Sequence, residues 1–494
     1  MSDPFDTSAP GSSADESAQK PSRLLWWLHP KVALPLILFG LILFSPLFYR
    51  AHRINSVPAI GEPFDVQAFG AVDIAPADNA MTQYTAAVGL YLEYSGIPAA
   101  EIVNAFDYGW EQTSEPLRKH LAANEPALAE WRKGTEQTQA VVVQPKDMNI
   151  DMRIDVVFKL RSMSGLALLK ADQCLAEGDV ESAWEWHRAA IRCGQHVSQN
   201  GCSSQRLVGI SFFGQAAKGI PRWAEHPQVT AAQLQSAIED LRTSEELATP
   251  NSEALKCEYV LLSDLLRRDR LDEFLDHSGG TLPSLYRGGT PPSLYRAQTL
   301  VLGEPEYSKR LIRHAFDNWL SEIDKPRWQQ APLSPGVFAL FEIPASRRLS
   351  MPPRDLEARI MSQSLAMQLI PAVSQFNEAI QRAAACEAAL KLTLACQLYH
   401  RLHGDWPARL EDLTPDVLSE LPADPLGKSG ETLRIKRDGD ELIIYSVGWN
   451  GADDGGQLDV ISSEGGWLDE GFRLRRPTKS ALLKNSEATP QEKD

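Results

Sequence analysis

Cysteine is scarce: six in 494 residues, with no two spaced C-x-x-C. That is too few for a disulfide-stapled scaffold and lacks the spacing of a zinc ribbon or a thioredoxin-type motif. Cys193 and Cys202, nine positions apart around an expected helix–helix turn, are able to pair in an oxidising compartment. Small buried core thiols are the plainer reading. Basic charge is also short, with 49 Lys and Arg against 65 Asp and Glu, a formal net charge of −16. Such a surface repels phosphate backbones, and no Lys/Arg block interrupts it, so nucleic acid is not expected as a partner. Catalytic signatures are missing too: no G-x-S-x-G elbow, no phosphate-binding loop, no G-x-G-x-x-G, no H-E-x-x-H. His400, His403 and Asp405 form the nearest metal-like grouping, but they stand at a helix end, where histidine simply favours the dipole. His187, between Trp184 and Trp186, reads as packing. No residue is assigned as catalytic, and a non-enzymatic role is the preferred reading.

Long apolar runs are rare as well, which makes the single one informative. Residues 23–53 carry eighteen consecutive uncharged residues, Val32 to Tyr49. That length suits one membrane-spanning helix. Trp26 and Trp27 fit one interface, and Tyr49, Arg50 and Arg53 the other. No small-x-small cleavage site follows, which favours an uncleaved anchor over a signal peptide. A short N-terminal tail usually stays inside. The expectation is therefore a single-pass protein of the bacterial inner (cytoplasmic) membrane, its N-terminus cytoplasmic and the bulk of the chain periplasmic or otherwise extracytoplasmic.

The remaining composition, 43% hydrophobic and 23% charged, is globular and long enough for two or three cores. Residues 1–22 and 475–494 read as disordered tails and 54–76 as a linker. Residues 77–276 read as an α-helical array. Asp78 or Asn79 caps a helix through Met81, Tyr84, Val88, Tyr91 and Leu92, ended by Gly96 and Pro98. Glu115-Pro116 and Glu125-Pro126 open two more. The clearest hairpin is 155–198, turning at Glu177–Asp179. It resembles, weakly, one tetratricopeptide-like unit of about 34 residues, without a second copy in register. Further helices are expected at 204–223, 230–247 and 252–276. Hairpins of this kind must stack to bury their apolar stripes, which creates a long surface suited to a protein partner. A Pro/Gly-rich connection, 277–353, repeats Pro-Ser-Leu-Tyr-Arg at 283–287 and 292–296 and holds a short helix near 304–323.

The unit at 354–474 has the strongest pattern. Cys386, Leu390, Leu394, Leu398 and Leu402 recur every fourth position beside a row of Ala388, Leu392, Ala395 and Tyr399, giving a long amphipathic helix stopped by Gly404. A short second helical region over 408–422 with a turn at Thr414-Pro415, a further turn, and a β-hairpin around Asp438-Gly439 are expected to follow. The stretch 394–456 resembles the globular part of the major pseudopilin of type II secretion. The resemblance rests on Gly404, Trp406, Pro407, Leu421, Pro422, Asp424, Pro425, Gly427, Tyr445, Ser446, Gly448, Asn450 and Gly451. The same kind of unit ends many single-anchor bacterial envelope proteins. It implies a small α+β fold and a terminal loop able to bind calcium. The oxygens for Ca2+ would come from Asn450, Asp453, Asp454 and Asp459, since calcium takes about six to eight oxygen ligands. The apolar segment lies far upstream of the long helix, so pilus-like polymerisation does not carry over.

The fold class expected is thus mainly α, with an N-terminal transmembrane helix, an irregular helical-hairpin array and a small C-terminal α+β unit. The function expected is a membrane-anchored binding or scaffold protein of the cell envelope with an unknown protein partner. The alternatives are a component of a secretion or pilus-like assembly, and an envelope enzyme with its site between the array and the C-terminal unit.

Overall fold

The computed structural model describes residues 30–71, 73–94, 109–149, 151–152, 154–267, 269–270, 301–334, 365–370, 373–458 and 468–475. Residues 1–29 and 476–494, which include Trp26, Trp27 and nearly all of both expected tails, lie outside them, as do Gly96, Pro98, the repeated Pro-Ser-Leu-Tyr-Arg, residues 335–364 and Asp459; Arg475, read as the start of a tail, instead ends a strand. The described chain is mainly helical with one small antiparallel sheet. The helices are α1 (Pro30–Asn55), α2 (Val66–Gly70), α3 (Met81–Leu90), α4 (Glu115–Ala123), α5 (Glu125–Thr135), α6 (Asp155–Ala176), α7 (Val180–Ser198), α8 (Ser203–Glu225), α9 (Ala231–Glu245), α10 (Asn251–Leu265), α11 (Glu306–Glu322), α12 (Ala366–Leu369) and α13 (Val373–His403).

Helix α1 is long and apolar enough to cross a membrane, with a mean hydropathy of 2.2 over its most apolar window. Leu34, Ile42 and Phe48 on it stay exposed, uncovered by the described residues of the body. Its last turn behaves differently. Arg53 is buried and stacks on Tyr307 of α11 at 4.2 Å, and Arg310 Nη1 donates to the carbonyls of Ile54 and Val57 at 3.0 and 3.1 Å. The apolar helix therefore enters the body directly, through contacts that satisfy the carbonyls left open at its C-terminal end.

The hairpin of α6 and α7 forms as its pattern indicates. Gly178 takes φ +80, and Asp179 accepts the Ser182 amide at 3.0 Å as an N-cap. Helices α7 and α8 cross closely at Gly194 and Gly209, where a Cβ on Gly209 would collide with the Gly194 carbonyl and the Ser198 hydroxyl. Helix α3 is shorter than its pattern suggests. It stops at Leu90 because Asn124 pairs with the Leu92 backbone, accepting its N–H at 2.8 Å and donating to its carbonyl at 3.2 Å, which holds that stretch extended. Helix α10 ends at Leu265, and positions 271–276 of the helix expected there lie outside the described residues.

Helix α13 decides the architecture. Leu390, Leu394 and Leu398 are all buried, together with Ala388, Leu392 and Ala395. They pack on α8 and α9, so that α7, α8, α13 and α9 adjoin one another in a cycle. The apolar stripe left for a further hairpin is covered instead by this C-terminal helix, and one core runs from α3 through α9 into α13 and the sheet. A second core joins α10, α11 and α12 to Phe376 and Ile380 at the start of α13. Gly404 ends α13 at φ +78, its amide bonded to the His400 carbonyl at 2.9 Å.

The second helix expected over 408–422 is only a 3-10 turn, Leu410–Leu413. Asp412 accepts the amides of Ala408 and Arg409, which closes the turn, and Pro415 offers no N–H to extend it. The hairpin is β1 (Arg434–Asp438) and β2 (Glu441–Val447), turning through Gly439 at φ +61. A third strand, β3 (Asp469–Arg475), was not foreseen and pairs antiparallel with β2, giving the order β1-β2-β3. Gly471 permits it, because a Cβ there would strike the Ile444 carbonyl.

Candidate functional site

Among the described residues, two places combine buried carboxyls with a cation and bear on the expected sites. In the C-terminal unit the organising group is Asp424, whose side chain is fully buried. It accepts the Leu426 amide at 3.0 Å, the Val447 amide at 3.3 Å, the Ser446 hydroxyl, and Arg434 Nη1 at 3.3 Å. A buried carboxylate needs that many donors to offset its lost hydration. Asp424 and Ser446, two of the thirteen residues of the pseudopilin resemblance, thus meet in space and stitch the turn to the central strand.

Arg434 also reaches Asp453, with Nε 3.1 Å from Oδ2. The other oxygen of Asp453 accepts the Tyr445 hydroxyl at 3.1 Å and the Gly455 amide at 3.0 Å. Asn450 donates to Asp454 at 2.8 Å. Asp469, which the sequence reading passed over, lies buried beneath the loop and accepts the amides of Gly456 and Gln457 at 2.8 and 3.1 Å. Burial raises its carboxyl above the usual range. Asn450, Asp453 and Asp454 are therefore brought together, but a guanidinium already neutralises Asp453. Among the described residues no cluster of three His, Cys, Asp or Glu side chains is placed to hold a metal. Calcium would have to displace Arg434 from Asp453 to enter.

The histidines do not converge. His400 packs on Trp406 at 4.4 Å and His403 on Tyr399 at 4.2 Å. His187 is buried against Gly219, and desolvation, with Arg222 nearby, pushes its pKa down to about 3. It is a neutral core residue.

The second place is a cavity of about 470 Å³ where α7, α8 and α13 meet the segment after α9 and Asp324 after α11. This is within the usual size of a small-molecule site. Its walls include Ser198, Arg206, Phe213, Asn251, Asp324, Ile380 and Glu387. Arg206 is held rigidly, donating to Asn251 Oδ1 at 2.8 Å and to the Thr249 carbonyl at 2.5 Å. Asp324 accepts the Ser252 amide at 3.1 Å. Glu387 is half-buried. Burial first, and then Glu245 beside it, push its carboxyl up to about 8, while Lys391 and Arg206 pull it back. Lys391 is ion-paired with Glu245. The cavity thus combines apolar walls, a fixed cation and a carboxyl held above the usual carboxylate range by burial and by Glu245.

None of Arg206, Asp324 or Glu387 was singled out from the sequence, since they come from distant segments with no shared motif. One signal was legible: Glu387 is a single acid within the otherwise apolar run Ala383 to Leu390. No protein-family model, curated protein or solved structure matches the chain.

Proposed function

We propose that this chain is a membrane-anchored, extracytoplasmic binding or scaffold protein of the bacterial cell envelope, and that the α7–α8–α13 cavity is its ligand site. The observation that carries the reading is the cavity's composition. An orienting cation and a titratable carboxyl converge on a mostly apolar pocket, as in sites that fix a small ligand's orientation with few polar groups. The anchor supports the setting, because α1 leaves its apolar side chains uncovered while its last turn is bolted to α11. The pseudopilin resemblance enters as a fold proposal for 354–474 alone, and calcium as a proposal for its loop. A secretion-assembly role is less supported, since the apolar helix and the long helix α13 are separate elements.

The test is to purify the full chain in mild detergent and identify small molecules that co-elute, by native mass spectrometry. Wild type should carry a bound species that Glu387→Leu loses. Equal recovery from both, or none from either, would remove the cavity as a ligand site. Protease added to intact spheroplasts should digest the body after α1. Protection there, with digestion only after lysis, would reverse the topology.

The upward displacement of Glu387 favours one further reading, an enzyme using Glu387 as a general acid or base in the same cavity. Chemical conversion of the co-eluting species, abolished by Glu387→Gln with binding retained, would select it over simple binding.

A further inference from the structure

Cys202 and Cys257 lie far apart in sequence, yet they share one small apolar cluster with Met148 and Leu261. Their immediate neighbours are tied together: Ser203 Oγ donates to Glu258 Oε2 at 2.7 Å. Arg206 fixes the same two helices one turn further along through Asn251. The N-terminal end of α8 is therefore pinned against the middle of α10, with one cysteine on each side of the pin. Both thiols are free here and buried. Cys202 Sγ turns toward Ser204 Oγ at 3.1 Å and Gln205 Oε1 at 3.4 Å. Cys193, the partner suggested by sequence spacing, sits in the main core beside Tyr84 and Trp131, a different cluster.

We propose that Cys202 and Cys257 are the disulfide-forming pair of this chain. Its formation in the cell rests on the extracytoplasmic reading above. The oxidant is a protein disulfide donor of that compartment. Before α10 closes over it, Cys202, at a helix N-terminus, is the better thiolate. It attacks one donor sulfur, breaking the donor's S–S bond and releasing one donor thiolate. Cys257 then attacks the Cys202 sulfur of the mixed disulfide and releases the second. Two protons pass from the cysteines to the donor, which leaves as a dithiol reduced by two electrons. The new bond costs Cys202 its contacts with Ser204 and Gln205 and joins α8 to α10 beside the cavity.

The experiment labels thiols with a maleimide polymer after acid trapping and denaturation of the full chain from cells. Of the six cysteines, four should react without reduction and six after it. Cys202→Ser should show five under both conditions. Cys193→Ser should show three before reduction and five after. The full chain is also reduced, unfolded and refolded in detergent in a glutathione redox buffer, then labelled in the same way. Six reactive thiols in both the cellular and the refolded chain overturn the pair. So does a Cys202→Ser variant that still hides two thiols. Four in the refolded chain but six from cells keep the pair and overturn the compartment instead.

Discussion

The Asp424 carboxylate accepts the Val447 amide at 3.3 Å, joining a turn to the end of a strand that follows it by more than twenty residues. Ser446 and Arg434 donate to the same group, so one buried charge sets the distance between turn, β1 and β2.

Asp424→Ala removes the acceptor while Arg434, Ser446 and two backbone amides remain. The Leu426 and Val447 amides and the Ser446 hydroxyl each lose a buried acceptor at about 1–3 kcal/mol, while Arg434 keeps Asp453. Denaturant unfolding of the full chain in detergent should show a loss of that order. Arg434→Met should cost less, because Arg434 is partly exposed. A loss below about 1 kcal/mol for Asp424→Ala would show that the stitch is not structural.

Glu387 makes stability fall as pH rises. Its carboxyl is raised from an ordinary 4.5 to about 8 in the fold. Between those values the folded state binds more protons than the unfolded one, so the slope of unfolding free energy with pH is negative. The contribution is complete below about pH 4.5 and lost as pH passes 8. Buried Asp172, raised to about 6, adds a slope of the same sign, and His187 one of opposite sign at lower pH. The readout is thus a difference: Glu387→Gln should melt with a flatter pH dependence between pH 5 and 8 than wild type. Parallel profiles would mean Glu387 titrates normally.

If the loop takes up calcium, the ion must compete with Arg434 for Asp453. Calcium at about 100 times its Kd should stabilise the chain by ~2.7 kcal/mol if the loop binds it. The calcium-dependent rise in Tm should be larger in Arg434→Gln than in wild type, and absent in Asp453→Ala with Asp454→Ala. No rise in either wild type or Arg434→Gln would remove the ion from this loop.

Gly209 allows α7 and α8 to touch. Gly209→Leu would thrust a side chain into the Gly194 carbonyl and Ser198. Overpacking of this kind costs about 1–3 kcal/mol, read as a lower unfolding midpoint. Because both glycines line the cavity, the variant should also lose any species that co-elutes with wild type. Unchanged stability would mean the helices separate easily.

Periodicity and end signals carried much of the fold. The 155–198 hairpin, α13 with its Gly404 stop, and the β1–β2 hairpin are local features. Their determinants, a 3.6-residue stripe, a left-handed glycine and an Asp-Gly turn, lie within a few positions of the structure they specify. The features that depart from local pattern involve distant partners. Asn124 ends α3 early, Gly471 admits β3 against Ile444, and Arg434 takes Asp453.

By itself, then, the chain's sequence determined one uncovered apolar helix, a predominantly helical body and a small C-terminal sheet, because side-chain pattern and backbone preference act over short range. Tertiary structure alone decided that α13 closes the helical layer, that Asp424 gathers Ser446 and Arg434, and that Arg206, Asp324 and Glu387 share a cavity. Those relationships depend on burial and on charges meeting across long chain separations. A residue's neighbours in sequence carry no record of either.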